Sequence, residues 1–424
     1  MAALGSIKRI FVLMLENRSF DHMLGYLSLK GVLPVNGLRH PLDPHTNTYN
    51  GQPYPLFPLT SLRVPDPLHD RQHIRIQIDG GSMHGFVASY AINHAVSRDL
   101  PPPVMGYYTE AEVPITDFFA RQFAVCDSWF APFPTGTQPN RLMAMAGYSL
   151  IGDNEEPLPH HDLVYDWLTR SGVPWCVYHE EFPLFMMMPE WVPHIVMDGT
   201  HFRRLSDLPK DILNDDLPQV VFIEPTYTDA PHYKEPSDAH PPSSISHSEN
   251  FLRNVYLALV TADLWKDCVL IVTYDEHGGF FDHEPPRPLP TPIPRDAEYG
   301  DQFMTTGLRV PALIVSPFVS AGRVYSDLLD HTSILKFLAE RFRNTANGGQ
   351  YSPVVEARPV GNLVAVFNCL DAPRLDPPAP PPPPEYPLEA TTIQRAFQAG
   401  VERMVKMYPS QAEVKFPELR LIGP

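Results

Sequence analysis

Short uninterrupted apolar runs alternate along the chain with polar, proline-rich stretches and with segments of helical period. Residues 7–15 (IKRIFVLML), 220–225 (VVFIEP) and 268–272 (CVLIV) are apolar and rich in β-branched residues. Each reads as a strand buried on both faces, the pattern of a parallel sheet. Residues 172–178 and 310–317 read the same way, and 115–130 reads as a helix running into a buried strand. Helical period over 161–168 and 249–261 interleaves with these runs to give βαβ steps. A further helix starts at 330–338, with Asp330 or Thr332 as its cap and His331 in a structural role. Residues 31–67 form a long loop, and 285–294, with proline at nearly every second place, form a stiff extended segment fit for the rim of a cleft. The apolar connection over 182–197, with Met186, Met187, Met188 and Trp191, is expected to be a satellite core rather than a lipid-contacting lip. The pattern therefore predicts a main α/β domain over 1–371, a proline-rich linker over 372–387, and a tail over 388–424 with an amphipathic helix at 391–407.

Composition narrows this picture. The 424 residues are 43% hydrophobic, ample for a large core, and the 50 prolines concentrate in loops and one late tract, which signals long ordered connections. A formal charge of -17 argues against nucleic acid and against an anionic membrane surface, and leaves zwitterionic lipid as a peripheral partner. Cys126, Cys176, Cys268 and Cys369 lie far apart, so buried thiols are expected rather than bridges or a CxxC site. The N-terminal apolar run abuts Glu16 and lacks a small-residue cleavage site, and so reads as the first strand. No run has the ~18 residues needed to span a bilayer. The expectation is a cytoplasmic protein, or a secreted or periplasmic one if the native N-terminus is trimmed.

The chemistry sits where the strands end. Residues 7–15 lead into Glu16-Asn17-Arg18-Ser19-Phe20-Asp21-His22, and 268–274 lead into Asp275-Glu276-His277-Gly278-Gly279. Ligands of open α/β sheets bind at the carboxyl ends of strands, so these two acid pairs are candidates for one metal site. A third stretch, PTGTQPNR at 134–141, places Pro139 as the first residue of a helix and Thr137 at its N-terminus. Free N–H groups and the positive end of the helix dipole suit phosphate there, and would stabilise a threonine alkoxide.

Taken in order, ENRSFDH, PTGTQPNR, TYDEHGGFFDH, VPALIVSPFV and YSDLLDHTSIL resemble the phosphoesterase family of non-specific phospholipases C and related acid phosphatases. The resemblance covers about 7–342 and implies an alkaline-phosphatase-like fold, a three-layer α/β/α sandwich around a mostly parallel sheet. It implies Thr137 as nucleophile and His69, His201 and His240 as catalytic histidines, with His179 and His194 competing for the place of His201. Relatives usually carry Asp where His84 stands. The implied ligands Glu16, Asn17, Thr137, Asp275 and Glu276 supply oxygen only, which favours one hard or borderline divalent ion such as Ca2+, Mg2+, Mn2+ or Zn2+. A threonine in this motif is more similar to the phospholipase C branch than to the acid phosphatases. The expected activity is a metal-dependent phospholipase C working through phosphothreonine. The alternatives are an acid phosphatase of small phosphomonoesters and, from another class, a non-catalytic phosphate or lipid-headgroup binding protein.

Overall fold

The computed structural model describes residues 2–40, 42, 47–180, 183–229, 236–261, 263–345, 347–382 and 399–401. The apolar runs become strands β1 (Arg9–Leu15), β2 (Ala124–Cys126), β3 (Trp175–His179), β4 (Phe202–Arg204), β5 (Val220–Glu224), β6 (Cys268–Tyr274), β7 (Ala312–Val315) and β8 (Arg323–Tyr325). They form one eight-stranded sheet in the spatial order β8-β2-β7-β6-β1-β5-β3-β4. Neighbours are parallel except β7, which runs antiparallel to both β6 and β2. β5 and β6 are buried along their whole length, because helices cover both faces of the sheet.

The principal helices are α1 (Arg71–Ile78), α2 (Pro114–Gln122), α3 (Thr137–Ala146), α4 (Val164–Arg170), α5 (Ile245–Thr261) and α6 (Thr332–Arg341). α3 and α6 meet the sheet where Val12 and Met14 point, and α2 packs on α5 through Phe118, Phe119 and Tyr256. This is the three-layer α/β/α order. Every residue of α5 is buried, since α2 lies against it and the proline tract crosses it. The Tyr256 hydroxyl donates to Pro378 O at 2.7 Å, Arg253 Nε to Pro381 O at 2.9 Å, and Trp265 Nε1 to Arg374 O at 2.8 Å. The described part of the tract, 373–382, is thus strapped to the domain. The helix expected over 391–407 lies outside the described residues, apart from 399–401.

Some expectations shift. The helix expected at 161–168 starts at Val164, where the Asp166 carboxylate accepts from Leu163 N at 3.0 Å. Within 182–197, Leu184, Phe185, Met188, Trp191 and Ile195 are buried as a satellite core should be, whereas Met197 is 85% exposed. Cys126, Cys176 and Cys268 are buried free thiols, and Cys369 is half-buried. Among the described residues no helix is long and apolar enough to cross a membrane.

Candidate active site

Register brings the two acid pairs together. β1 and β6 run side by side, with Met14 opposite Thr273 and Leu15 opposite Tyr274. The next residue on each strand is a ligand-type side chain, so Glu16 and Asp275 emerge as neighbours at the carboxyl edge. Asp275 N donates to Leu15 O at 3.1 Å, and Asn17 N donates to Asp275 Oδ1 at 3.0 Å. Asn17 adopts a left-handed φ of 61°, which turns its amide back over the strand ends. Glu276 is fixed in turn, accepting from Gly278 N at 2.9 Å.

Thr137 reaches this group from α3, and its side chain hydrogen-bonds the Asp275 carboxylate. The helix begins at Thr137 itself, two residues ahead of the expected start at Pro139. Proline has no N–H, and the amides of the whole first turn lack helical partners, so the ring is tolerated anywhere there. The Asn140 side chain knots the preceding turn, donating to Thr135 O at 2.9 Å and Gly136 O at 3.0 Å. The Asn154 side chain accepts from Gln138 N at 2.9 Å.

His69 and His240 complete the cluster. Each donates its Nδ1 proton to a backbone carbonyl, of Pro67 and of Pro241 respectively, and directs Nε2 at the Asn17 amide. One end of the amide stands 2.7 Å from His240 Nε2 and 3.0 Å from His69 Nε2, and the other stands 3.1 Å from Glu276 Oε1 and 3.2 Å from Asp275 Oδ1. With its nitrogen toward the carboxylates and its oxygen toward the ring N–H groups, every polar contact of the amide is satisfied, and the Glu16, Asp275, Glu276 and Thr137 oxygens around it are a donor set that fits a hard divalent cation.

The charges follow from burial and proximity. Burial opposes charge on the His69 ring, but Glu276, Asp66 and Asp275 pull its pKa up to about 9. Burial raises Glu16 well above the carboxylate range against the pull of Arg141, and Asp275 rises through burial and repulsion from Glu276. For Glu276 burial also acts upward, yet His69 and His277 hold it below its ordinary value. Such carboxylates, packed together out of water, are what a cation site looks like before neutralisation.

The structure does not bring His201 into this cluster. It precedes β4, its backbone oxygen accepting from Val177 N in mid-strand, and its ring bonds Asp198 and packs on Trp175, the first residue of β3. His201 therefore lies away from the carboxyl edge. His179, the last residue of β3, is buried opposite Glu224 at that edge, while His194 sits on the helix Val192–Met197, exposed beside Trp191. His331 is neutral and structural, because Nδ1 accepts from Trp129 Nε1 at 3.0 Å and Nε2 donates to Asp275 O at 2.7 Å. Burial pushes its pKa down to about 4. His84 lies on a separate cavity of about 400 Å³ with His283 and Glu284.

Sequence reasoning missed two supports. Arg18, within ENRSFDH, donates to Ala239 O at 2.9 Å and so steadies the residue before His240. Arg141, within PTGTQPNR, donates to Glu16 Oε1 at 3.0 Å from a buried position. Its signal was the spacing of four from Thr137, which puts both on one helix face. Beside these groups a cavity of about 1000 Å³ opens, lined by Glu16, Thr137, Tyr227, Leu184, Met187 and the 154–157 turn.

Fold and site together define an α/β protein with a hydroxyl-bearing, oxygen-rich centre at the carboxyl edge of its sheet. Residues 7–344 match the Phosphoesterase family, and the chain belongs to that family. It is 32% identical over 348 residues to non-specific phospholipase C3 of Arabidopsis thaliana, over 75% of this chain and 64% of that protein. It is 28% identical over 396 residues to phospholipase C A of Mycobacterium tuberculosis, over 80% and 73%. The chain thus spans slightly under two thirds of the plant relative's length. A solved protein of the alkaline phosphatase superfamily from Vibrio parahaemolyticus is similar over 61% of this chain and 66% of its own, at 12% identity and a TM-score of 0.36.

Proposed function

We propose that the chain is a metal-dependent phosphoesterase of phospholipase C type, cleaving the glycerol-side phosphodiester of phospholipids. The observation that carries the reading is the Thr137 hydroxyl, at a helix N-terminus and hydrogen-bonded to Asp275 within the oxygen cradle. Glu16, Asn17, Asp275 and Glu276, with Thr137 beside them, would hold one divalent ion. Bound there, the ion would acidify the neighbouring hydroxyl and polarise the phosphoryl group. Thr137 Oγ1 passes its proton to the Asp275 carboxylate beside it, which returns it when the intermediate is split, and attacks phosphorus, forming a phosphothreonine diester that keeps the headgroup as the bond to the glycerol oxygen breaks. The N-terminal dipole of α3 stabilises the developing charge. His69 or His240 protonates the leaving alkoxide, and the same ring then takes a proton from the water that splits the phosphothreonine ester. His179, rather than His201, is the third histidine in position to serve this edge.

The cavity favours a lipid over a small monoester. Its size suits a headgroup with part of the glycerol, Leu184 and Met187 provide an apolar wall, and Glu155, Glu156 and Asp229 face a cationic headgroup. The relatives named phospholipase C support the same choice. Metal analysis of the purified protein, with assays on phosphatidylcholine and p-nitrophenyl phosphate, tests the reading. Release of diacylglycerol is expected. Inorganic phosphate from monoesters alone would move the assignment to an acid phosphatase, and headgroup binding without turnover would move it to a binding protein.

A further inference from the structure

Thr137 and Glu16 come from segments far apart in sequence, and something must fix the distance between the nucleophile and the ligands it works with. We infer that Arg141 is that positioning residue, locking the nucleophile helix to the ends of β1 and β5. The inference rests on the reading of the site given above.

The guanidinium lies one helical turn beyond Thr137 on the same face of α3. From a buried position Nη2 donates to three acceptors at the end of β1, Met14 O at 3.2 Å, Leu15 O at 3.4 Å and Glu16 Oε1 at 3.0 Å. Nη1 donates to the Tyr227 hydroxyl at 3.2 Å, and that hydroxyl lies 3.3 Å from Glu224 Oε2, at the end of β5. The guanidinium also sits over the Tyr227 ring, 5.2 Å from its centroid. One planar group thus ties the helix carrying the hydroxyl to two strand ends at once.

The geometry has a chemical consequence for Glu16. With Oε1 taken by Arg141, the carboxylate is held in one orientation, and Oε2 is the atom left for a cation. The fixed positive charge also offsets the repulsion among Glu16, Asp275 and Glu276, so the cradle persists before a cation arrives. Lysine cannot reproduce this arrangement. Its ammonium is a point charge without the fork needed to span carboxylate, backbone carbonyls and phenol together.

The test uses the full chain as wild type, Arg141→Lys and Arg141→Gln. Mn2+ binding is followed by electron paramagnetic resonance and by the Mn2+-induced rise in Tm, and kcat and KM are measured on a soluble short-chain phosphatidylcholine. Wild type is expected to bind Mn2+. Arg141→Lys should weaken binding by about 10- to 100-fold, as loss of an outer-shell partner does, and lower kcat by a similar factor with KM little changed. Arg141→Gln should do more. A merely structural role would lower Tm without the altered Mn2+ spectrum or the kcat-against-KM split. Equal Mn2+ affinity and kcat in wild type and folded variants would overturn this inference alone, while a wild type that binds no Mn2+ would overturn the parent reading and this one with it. If neither Arg141 variant folds, Tyr227→Phe carries the test, since it keeps the pair with Glu16 and removes one tether. Its Mn2+ affinity should fall severalfold, and an unchanged value would overturn the inference.

Discussion

A Cβ on Gly278 would stand 2.1 Å from the backbone oxygen of Asn17, well inside van der Waals contact. The Gly-Gly step after Asp275 and Glu276 is therefore a close approach between the two ligand-bearing turns, and the φ of 64° at Gly278 adds a second reason for glycine. Gly278→Ala should push the turns apart. The left-handed backbone alone costs about 1 kcal/mol and the clash adds to it. The expected outcome is a Tm lower by several degrees with turnover reduced at least 100-fold, read by calorimetry and by initial rates on one preparation. Near-wild-type turnover would mean that the turns need not touch.

Thr137→Ala should abolish turnover while leaving the cradle able to bind a cation, because the hydroxyl is one of several oxygens there. Thr137→Ser keeps the nucleophile and should retain a measurable fraction of kcat. Rapid quench of wild type with phosphatidylcholine, followed by peptide mass analysis, should find one phosphocholine group on the peptide containing Thr137. Full activity of the alanine variant would remove the covalent mechanism.

Glu249 predicts a pH dependence of stability remote from the cradle. It lies on α5 and accepts from Ile115 N at 2.6 Å and Thr116 N at 3.1 Å, capping α2 from a neighbouring helix. Burial pushes its pKa from 4.5 up to about 7, against the opposing pull of these bonds. Between those values the folded chain keeps a proton that the unfolded chain has lost, so stability falls as pH rises. This contribution is full below pH 4.5 and gone above pH 7, and is worth at most about 3 kcal/mol. Denaturant unfolding of Glu249→Gln across this window should show a flatter profile than wild type, and identical slopes would contradict the assignment.

Glu155 and Glu156 border the cavity, and burial together with the neighbouring Glu298 carboxylate, to which a protonated Glu155 donates, raises the Glu155 pKa. Replacing both by Gln should reduce kcat/KM on phosphatidylcholine severalfold and improve it on phosphatidylglycerol, with no change in cation affinity. The effect should shrink at high salt, since these side chains are solvent-exposed. An unchanged preference between the two lipids would place headgroup selection elsewhere.

Much of this centre is legible from sequence because strands carry their ligands at their ends. Glu16, Asn17, Asp275 and Glu276 need only two apolar runs read as adjacent parallel strands, and Thr137 needs only a turn before a helix. What is not legible depends on direction and on contacts between distant residues. His201 and His179 are equally plausible until β3 and β4 are known to run parallel, which puts one at the start of its strand and the other at the end. The antiparallel course of β7 leaves no mark on its apolar run. Arg141 stands in a recognised motif, but its partner is 125 residues away, and no local pattern reports that pairing.

The place of β1 in the sheet bears on how the protein is made. This strand, from the first residues of the chain, pairs on one side with Val220–Glu224 and on the other with Cys268–Tyr274. During synthesis it leaves the ribosome long before either partner exists, and 258 residues separate Asn17 from the Asp275 oxygen that its amide meets. The nascent chain must carry this apolar segment unpaired until Val220–Glu224 has been made, a long exposure in which chaperones are a natural safeguard. The centre is consequently among the last parts of the molecule to form, and a ribosome stalled before β6 emerges would display a polypeptide without it.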